Sequence, residues 1–390
     1  MTRRLPQLLY VGDIPVEASY QSSIQLHRLL RGYPRAALRI LETREPFSPA
    51  QSRLPEVRYH SLTLANRQTM RGEWSSAYRL WLTATAGRRA PEVLQMVDGF
   101  APEAVLTIGS GFGWLLAAEV ARRLDVPLHL IAHDDWPKSS GIDRACLAWS
   151  RSRFARVYRQ ARSRLCISPF MIDAFERRSG VRGSLLYPVR SPDAAATESA
   201  VVRAIENDQP IVIGFCGGSG SHVMPGLRTL GRALAGMNAR VVVFGPFDHA
   251  KQADLRAQSQ AFEFRGFVAH DEVLAGLRGA DLLFAPMTFD ARARDNMTVS
   301  FPSKLADYTA AAVPIVVHAP AYSSAARWAE MHQDAARVVT VDDAAALGHA
   351  IVALRDDRAE RQRLAERAVQ AGHSCFDFHT GQTVFEDALQ

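Results

Sequence analysis

The segment Ser300–Val317 (SFPSKLADYTAAAVPIVV) places a serine, a lysine and an aspartate at the start of a predicted helix. Pro302 suits the first turn of a helix, because a helix makes no use of an N–H group there. Ser303 and Lys304 then lie where free backbone N–H groups and the positive end of the helix dipole attract an anion. Asp307 lies one turn further along the same face. This arrangement fits a nucleoside diphosphate whose ribose binds the carboxylate. A capped amphipathic helix with a surface Lys–Asp pair is the alternative.

Polar residues also follow a strongly apolar run at Leu128–Pro137 (LHLIAHDDWP). The carboxyl end of a buried parallel strand is where an α/β domain presents functional side chains. His133 and Asp134 are therefore candidate functional residues. Side chains that only satisfy the backbone groups of their own loop are the alternative interpretation.

Glycine-rich turns follow two other predicted strands, at Cys216–His222 (CGGSGSH) and at Gly109–Gly113 (GSGFG). The second turn resembles a dinucleotide-binding fingerprint but lacks its full spacing. We interpret it as a tight strand-to-helix turn.

Short β-rich runs alternate with longer helical stretches along the whole chain, which predicts parallel sheets covered by helices. The predicted strands of the first half are Gln7–Gly12, Ala37–Leu41, Val57–Leu62, Ala104–Ile108, Leu128–His133, Arg164–Ser168 and Ser184–Tyr187. Those of the second half are Ile211–Cys216, Arg240–Phe244, Glu263–Phe267, Leu282–Ala285, Ile315–Val317 and Val338–Val341.

This alternation predicts an α/β protein of two doubly wound, Rossmann-like domains that face each other across a cleft. We place the first domain at residues 1–190 and a polar, Pro-containing linker at 191–209. The second domain spans 210–371. The last stretch, Arg358–Leu389, is expected to be helical and then irregular, and a C-terminal segment, 372–390, could pack back on the first domain.

Charge divides unevenly between the halves. Residues 1–190 carry 28 basic and 16 acidic side chains, whereas the whole chain has a net charge of +6. A basic first half favours an anionic partner, such as a membrane surface, over a neutral one. An arginine-rich solvated face is the alternative, and no known nucleic-acid motif accompanies the arginines. The four cysteines lie far apart, which predicts neither a disulfide framework nor a zinc site and favours the cytoplasm.

Several segments, in this order, resemble those of GT-B glycosyltransferases, especially the retaining family-4-like enzymes that use nucleotide sugars. The segment Phe301–Val316 is similar to their motif F-P-S-K-L-x-E-Y-x-A-x-G-x-P-I-V. Phe264–Pro286 (FRGFVAHDEVLAGLRGADLLFAP) is similar to a strand–helix–strand of the same family, and Ile213–His222 to its Gly-rich turn. Two positions depart from the pattern. Val299 stands where the family has its first glutamate, and Gly218–His222 stands where it has an arginine and a lysine.

The resemblance implies a role for each candidate residue. The donor-binding residues would be Gly217, Gly218, Ser219, His222, Phe267, Val268, Ser303, Lys304 and Asp307. His133 and Asp134 would serve the sugar-transfer centre. The acceptor side would include Ser19, Tyr20, Ser22 and Gly111, although Ser19 or Ser22 could simply cap a helix.

The function that the resemblance implies is transfer of a sugar from a UDP- or GDP-type donor to a glycan, a lipid-linked molecule or a small molecule, with retention of configuration. It implies neither a metal nor any other cofactor, and no nucleic-acid partner. Two alternatives stay open. One is a sugar-nucleotide epimerase of the same fold. The other is a catalytically silent binding protein, which the absence of the first glutamate favours.

Overall fold

The chain folds as two units, each built around its own parallel sheet. The computed structural model describes residues 4–18, 21–44, 52–66, 68–70, 74–136, 144–193, 200, 202–206 and 208–390. The first unit combines Met1–Tyr187 with His379–Gln390, and the second spans Pro188–Phe378.

The first unit contains a seven-stranded sheet with the order β3-β2-β1-β4-β5-β6-β7. Its strands are β1 (Leu8–Gly12), β2 (Leu38–Glu42), β3 (Arg58–Ser61), β4 (Ala104–Ile108), β5 (Leu128–Ala132), β6 (Ser163–Cys166) and β7 (Ser184–Leu185). All residues of β1, β4 and β5 are buried. Continuous apolar runs of this kind are expected of parallel strands with helices on both faces.

The helices of the first unit are α1 (Gln21–Leu30), α2 (Ser75–Thr85), α3 (Ala90–Met96), α4 (Gly113–Leu124), α5 (Arg144–Gln160), α6 (Pro169–Ser179) and α15 (Phe378–Ala388), whose first residue falls in the second unit. Local sequence signals fix the ends of α6. The Ser168 hydroxyl accepts a hydrogen bond from the Met171 N–H, and the helix stops at Gly180, whose φ is +75°. Serine caps and left-handed glycine stops are the usual helix boundaries.

The second unit contains a six-stranded sheet with the order β10-β9-β8-β11-β12-β13. Its strands are β8 (Ile211–Cys216), β9 (Ala239–Phe244), β10 (Phe262–Gly266), β11 (Leu282–Pro286), β12 (Ile315–His318) and β13 (Arg337–Val339). Its helices are α7 (Met224–Ala233), α8 (His249–Gln258), α9 (His270–Arg278), α10 (Arg294–Val299), α11 (Lys304–Ala311), α12 (Ser324–Met331), α13 (Ala344–Asp356) and α14 (Arg358–Phe376).

Each sheet has one point at which the strand order reverses. In the first sheet it lies between β1 and β4, and in the second between β8 and β11. Ligands of doubly wound folds bind at such a point, beyond the carboxyl ends of the strands.

The predicted α/β class and two parallel sheets are confirmed, and every predicted strand overlaps an observed one. The prediction of an irregular C-terminus is wrong, because α14 is followed almost directly by α15. The connector also differs from a free linker. Ala200 and Val202 are buried against Ala365 and Val369 of α14, so this part of the chain packs within the second unit.

Candidate functional site

The reversal point of the second sheet is formed by the end of β8, the glycine turn after it and the start of α11. Gly217 adopts a φ of +149° and donates its N–H to the carbonyl of Phe244, at 2.9 Å. A Cβ atom on Gly245 would lie 2.2 Å from the Gly217 carbonyl oxygen, so glycine is needed there for the two turns to approach each other. The turn thus places the backbone of glycine residues, rather than large side chains, at the ends of the strands.

Lys304 is the first residue of α11, and its ammonium group lies inside the protein. Nζ is 4.0 Å from the centre of the Phe215 ring on β8. It is buried and has no hydrogen-bond partner among the described residues. Burial lowers the pKa of Lys304 to about 8, since a low-dielectric environment disfavours the charged form. An anion bound beside Nζ would restore the missing interaction.

The start of α11 has no side-chain cap. Ser303 occupies the cap position with helical dihedrals (φ −56°, ψ −24°), its side chain accepts no capping hydrogen bond, and it is exposed. The N–H groups of Leu305 and Ala306 turn back to the carbonyls of Pro302 and Ser303, at 3.0 and 3.1 Å. Because Ser303 does not cap this helix start, the positive end of α11 can attract an anionic ligand.

Tyr308 fixes α11 to the two central strands. Its hydroxyl accepts a hydrogen bond from the Cys216 N–H and donates one to the Phe284 carbonyl, each 3.0 Å long. The side chain is fully buried. Burial, with the negative charge that a Cys216 thiolate would carry as a smaller cause, raises the pKa of Tyr308 well above its usual range, so the hydroxyl stays neutral. The tyrosine therefore positions Lys304 and Asp307 at the reversal point.

Asp307 lies on α11 one turn beyond the helix start. Its Oδ1 is 3.8 Å from Nε2 of His270, the first residue of α9, and its side chain is 17% exposed. Phe267, in the loop that leads to α9, is 60% exposed, and Val268 is half-buried. A carboxylate held beside a histidine near the helix start can accept hydrogen bonds from hydroxyl groups. His270 and Tyr308 are the two residues of this group that the sequence analysis missed.

The remaining residues of the predicted donor group lie in the turn after β8. The Ser219 hydroxyl donates to the Pro246 carbonyl at 3.2 Å, and Gly218 is half-buried. His222 is exposed and lies close enough to Asp290 to lower the pKa of that carboxyl, although the Arg292 hydrogen bonds lower it more. Val299, which stands in place of a glutamate, is buried at 1% exposure on α10.

In the first unit, the reversal point is occupied by the side chain of Asp13. The carboxylate accepts hydrogen bonds from the N–H groups of Phe112 and Gly113 at the start of α4, the second at 2.5 Å. Gly111 has a φ of +57°, and a Cβ atom there would lie 2.2 Å from Asp13 Oδ2. Burial raises the pKa of Asp13, and these hydrogen bonds partly oppose the shift. Gly111, predicted on the acceptor side, thus packs directly against a buried carboxylate.

His133 and Asp134 follow β5, as the sequence predicts. The Nε2 atom of His133 is buried and has no hydrogen-bond partner among the described residues. Burial lowers the pKa of His133 to about 4, and the negative charge of Asp134 opposes the shift. A neutral imidazole with a free ring nitrogen can hydrogen-bond a sugar hydroxyl. The next residue, Asp135, is instead fully buried and pairs with Arg178 at 2.7 Å.

The other predicted acceptor residues are described only in part. Ser19 and Tyr20 lie outside the described residues, and Ser22 is described only through its backbone, within α1. In the described part of the chain, no cluster of three or more His, Cys, Asp or Glu side chains could hold a metal ion. The described helices include none that is both long and apolar enough to cross a bilayer.

Comparisons with known proteins agree with this geometry. Residues 210–357 match the sequence profile of the family described as Glycosyl transferases group 1. No curated protein sequence matches the chain at a significant level.

Several solved structures share the fold of the whole chain at low identity. HepE from Anabaena, in complex with UDP-glucose, is 13% identical, with a TM-score of 0.70 over 98% of both chains. Sucrose-phosphate synthase from Thermosynechococcus elongatus is 15% identical, with a TM-score of 0.69 over 98% of both chains. A UDP-forming α,α-trehalose-phosphate synthase from Burkholderia vietnamiensis is 14% identical, with a TM-score of 0.70 over 99% of this chain and 98% of that one.

The structural matches define the fold class, a GT-B architecture of two Rossmann-like units. The region that contains the reversal point of the second sheet matches the group 1 glycosyl transferases in sequence.

Proposed function

We propose that the chain transfers a sugar from a UDP-sugar donor, bound at the reversal point of the second sheet, to an acceptor, with retention of configuration. The observation that carries this proposal is the buried Nζ of Lys304, without a hydrogen-bond partner among the described residues, beside a helix start that Ser303 does not cap. A buried, unpaired ammonium group is costly, and an anionic ligand offsets that cost. The UDP bound to HepE makes uridine the first base to test.

In this proposal the donor diphosphate contacts Lys304, Ser303 and the backbone of the Gly217–Ser219 turn. Asp307 accepts hydrogen bonds from the ribose hydroxyls, and His270 holds the carboxylate in place. Phe267, Val268 and His222 border the same ends of the strands. Because Val299 stands in place of a glutamate, no glutamate side chain from α10 contacts the sugar in this proposal. We assign no metal to the reaction.

Binding of UDP tests the donor site directly. Removing the ammonium group in Lys304→Ala should weaken UDP binding by about 2 kcal/mol, because a charge-assisted hydrogen bond contributes roughly 1.5–3 kcal/mol. Asp307→Ala should cost roughly 1–3 kcal/mol for the same reason. Lys251→Ala is the matched control, since Lys251 is a half-buried lysine of the same unit whose ammonium group is paired with Asp248. Calorimetry that finds equal UDP affinity in all four proteins would refute the assignment.

Product analysis separates transfer from its alternatives. An epimerase would convert a UDP-sugar in the absence of any acceptor, whereas a transferase would release UDP only when an acceptor is present. A catalytically silent protein would bind UDP and do neither.

We further propose that the acceptor is a glycan or a lipid-linked molecule and that the first unit works beside an anionic membrane in the cytoplasm. Two observations support this: the net positive charge of the first half, and the exposed indoles of Trp74 and Trp81, at 78% and 56%. Tryptophan and arginine together favour the polar surface of a bilayer. Failure to sediment with anionic vesicles at low salt would refute this location.

A further inference from the structure

A cavity of about 400 Å³ lies between α5 and α6 of the first unit. Its volume falls in the range of small-molecule pockets, roughly 300–1,000 Å³. Three aromatic side chains, Phe154, Tyr158 and Phe175, form part of its wall. Their rings contact one another, with centroids 5.4–6.2 Å apart. Because the three rings pack against one another, they form a rigid apolar surface.

Arginine side chains surround the same cavity. Arg151, Arg159 and Arg178 line it, and Asp135 is the only acidic residue among the described residues that do so. Asp135 already pairs with Arg178 at 2.7 Å, and the Arg178 guanidinium lies over the Phe175 ring, at 5.8 Å. The lining therefore carries an excess of positive charge over an apolar wall.

We propose that this cavity binds one molecule of an anionic amphiphile, with a phosphate or carboxylate group at the arginines and a hydrocarbon chain against the aromatic wall. Both halves of the ligand are needed for complementarity. A purely polar anion would leave the aromatic surface in contact with water, and a neutral apolar ligand would add no negative charge beside the arginines. The site belongs to the first unit and is independent of the donor site proposed in the second.

Decyl phosphate, used below its micelle concentration, is a suitable probe, and three reference compounds distinguish the sources of binding. Inorganic phosphate presents the charge alone, decyl maltoside presents the chain with a neutral head group, and UDP reports on the donor site. We expect saturable binding of decyl phosphate to the full chain, at least about tenfold tighter than binding of either inorganic phosphate or decyl maltoside. Equal binding of decyl phosphate and either of these two, or no saturable binding, would overturn the proposal.

Two variants locate the binding in this cavity. Ala155 lines the cavity, so Ala155→Phe should fill it and weaken decyl phosphate binding by at least about tenfold. Arg159 is exposed, so Arg159→Ala should not disturb folding and should weaken binding about tenfold.

Arg156→Ala is the matched control, because Arg156 is an exposed arginine of α5 that does not line the cavity. UDP affinity should be the same in all three variants, so a failure here is separable from a failure of the donor site. Decyl phosphate affinity that is unchanged in both Ala155→Phe and Arg159→Ala, or equally reduced in Arg156→Ala, would contradict the assignment.

Discussion

The two sheets have the same pattern of strand order, yet different groups of the chain lie at their reversal points. In the first unit, α4 follows the strand next to the reversal point, and the Asp13 carboxylate accepts two hydrogen bonds from its start. In the second unit, α11 holds the equivalent place, and its N-cap residue, Ser303, makes no capping hydrogen bond. Asp13 follows β1, whereas Gly217 follows the equivalent strand β8. A carboxylate of the chain thus lies at the start of α4, whereas the proposed function places a donor phosphate at the start of α11.

Under the proposed function, net charge does not predict which half of the chain binds the donor diphosphate. The basic half of the chain is the first, which carries 28 basic and 16 acidic residues up to Arg190. Its helix start is nevertheless closed by a carboxylate. The half with a net negative charge holds the open helix start and the buried Lys304. Local donors and burial therefore decide the position of the anion site, since solvent and salt screen distant charges.

Removing the internal anion should give the largest effect. In Asp13→Ala the N–H groups of Phe112 and Gly113 lose their acceptor inside the protein. We expect the free energy of unfolding to fall by about 3 kcal/mol, at roughly 1–3 kcal/mol for each orphaned buried group. Urea unfolding measures it, with the exposed Asp173→Ala as control. UDP affinity should not change. An unaltered unfolding midpoint would mean that Asp13 does not hold α4.

The converse substitution places a carboxylate at the open reversal point. Gly218 is half-buried and lies outside the left-handed region of φ, so Gly218→Asp should be tolerated. Its charge should repel the donor phosphates and weaken UDP binding by about 2 kcal/mol, or about thirtyfold. Gly220→Asp adds the same charge at an exposed glycine with open space around it, and it should cost much less. Equal losses in the two variants, measured by calorimetry, would point to a general charge effect.

The sequence predicts the strands well because buried parallel strands are continuous apolar runs. It does not predict α2 and α3, in part because apolar residues lie on both faces of α2. Trp81 is 56% exposed, whereas the adjacent Leu82 is 2% exposed, which obscures the helical period.

The candidate site, like the fold, is predicted only in part from the sequence. Ser303, Lys304 and Asp307 are close in sequence, so their spacing alone predicts an anion site. The roles of Tyr308 and Asp13 depend on partners about ninety to one hundred residues away. Sequence periodicity carries no information on such contacts. Tyr308 matches the tyrosine of the family motif, but the motif does not say what its hydroxyl contacts, and Asp13 belongs to no recognised motif.

The pKa of Lys304 makes donor binding dependent on pH, which is the smallest of the expected effects near neutrality. In the free protein this pKa is about 8, below the ordinary value of 10.5. Burial of the charged form therefore costs stability below pH 8, and the cost is relieved as pH rises from about 8 towards 10.5. A bound diphosphate should raise the pKa again. UDP affinity should thus be flat from about pH 7 to 8 and then fall, approaching tenfold per pH unit.

Phosphate groups are already fully ionised in that range, since their second pKa lies near 6, so the decline does not come from them. The uracil ring of UDP also titrates at alkaline pH, and comparison with Lys304→Ala separates its contribution from that of Lys304. Calorimetry in buffers of different ionisation enthalpy should show proton uptake on binding above about pH 8. Lys251→Ala should keep this behaviour, and Lys304→Ala should lose it whatever its remaining affinity. A wild-type affinity that stays constant up to about pH 9.5 would show that the buried ammonium group does not contact the phosphates, and the contrast between the two reversal points would then rest on backbone groups alone.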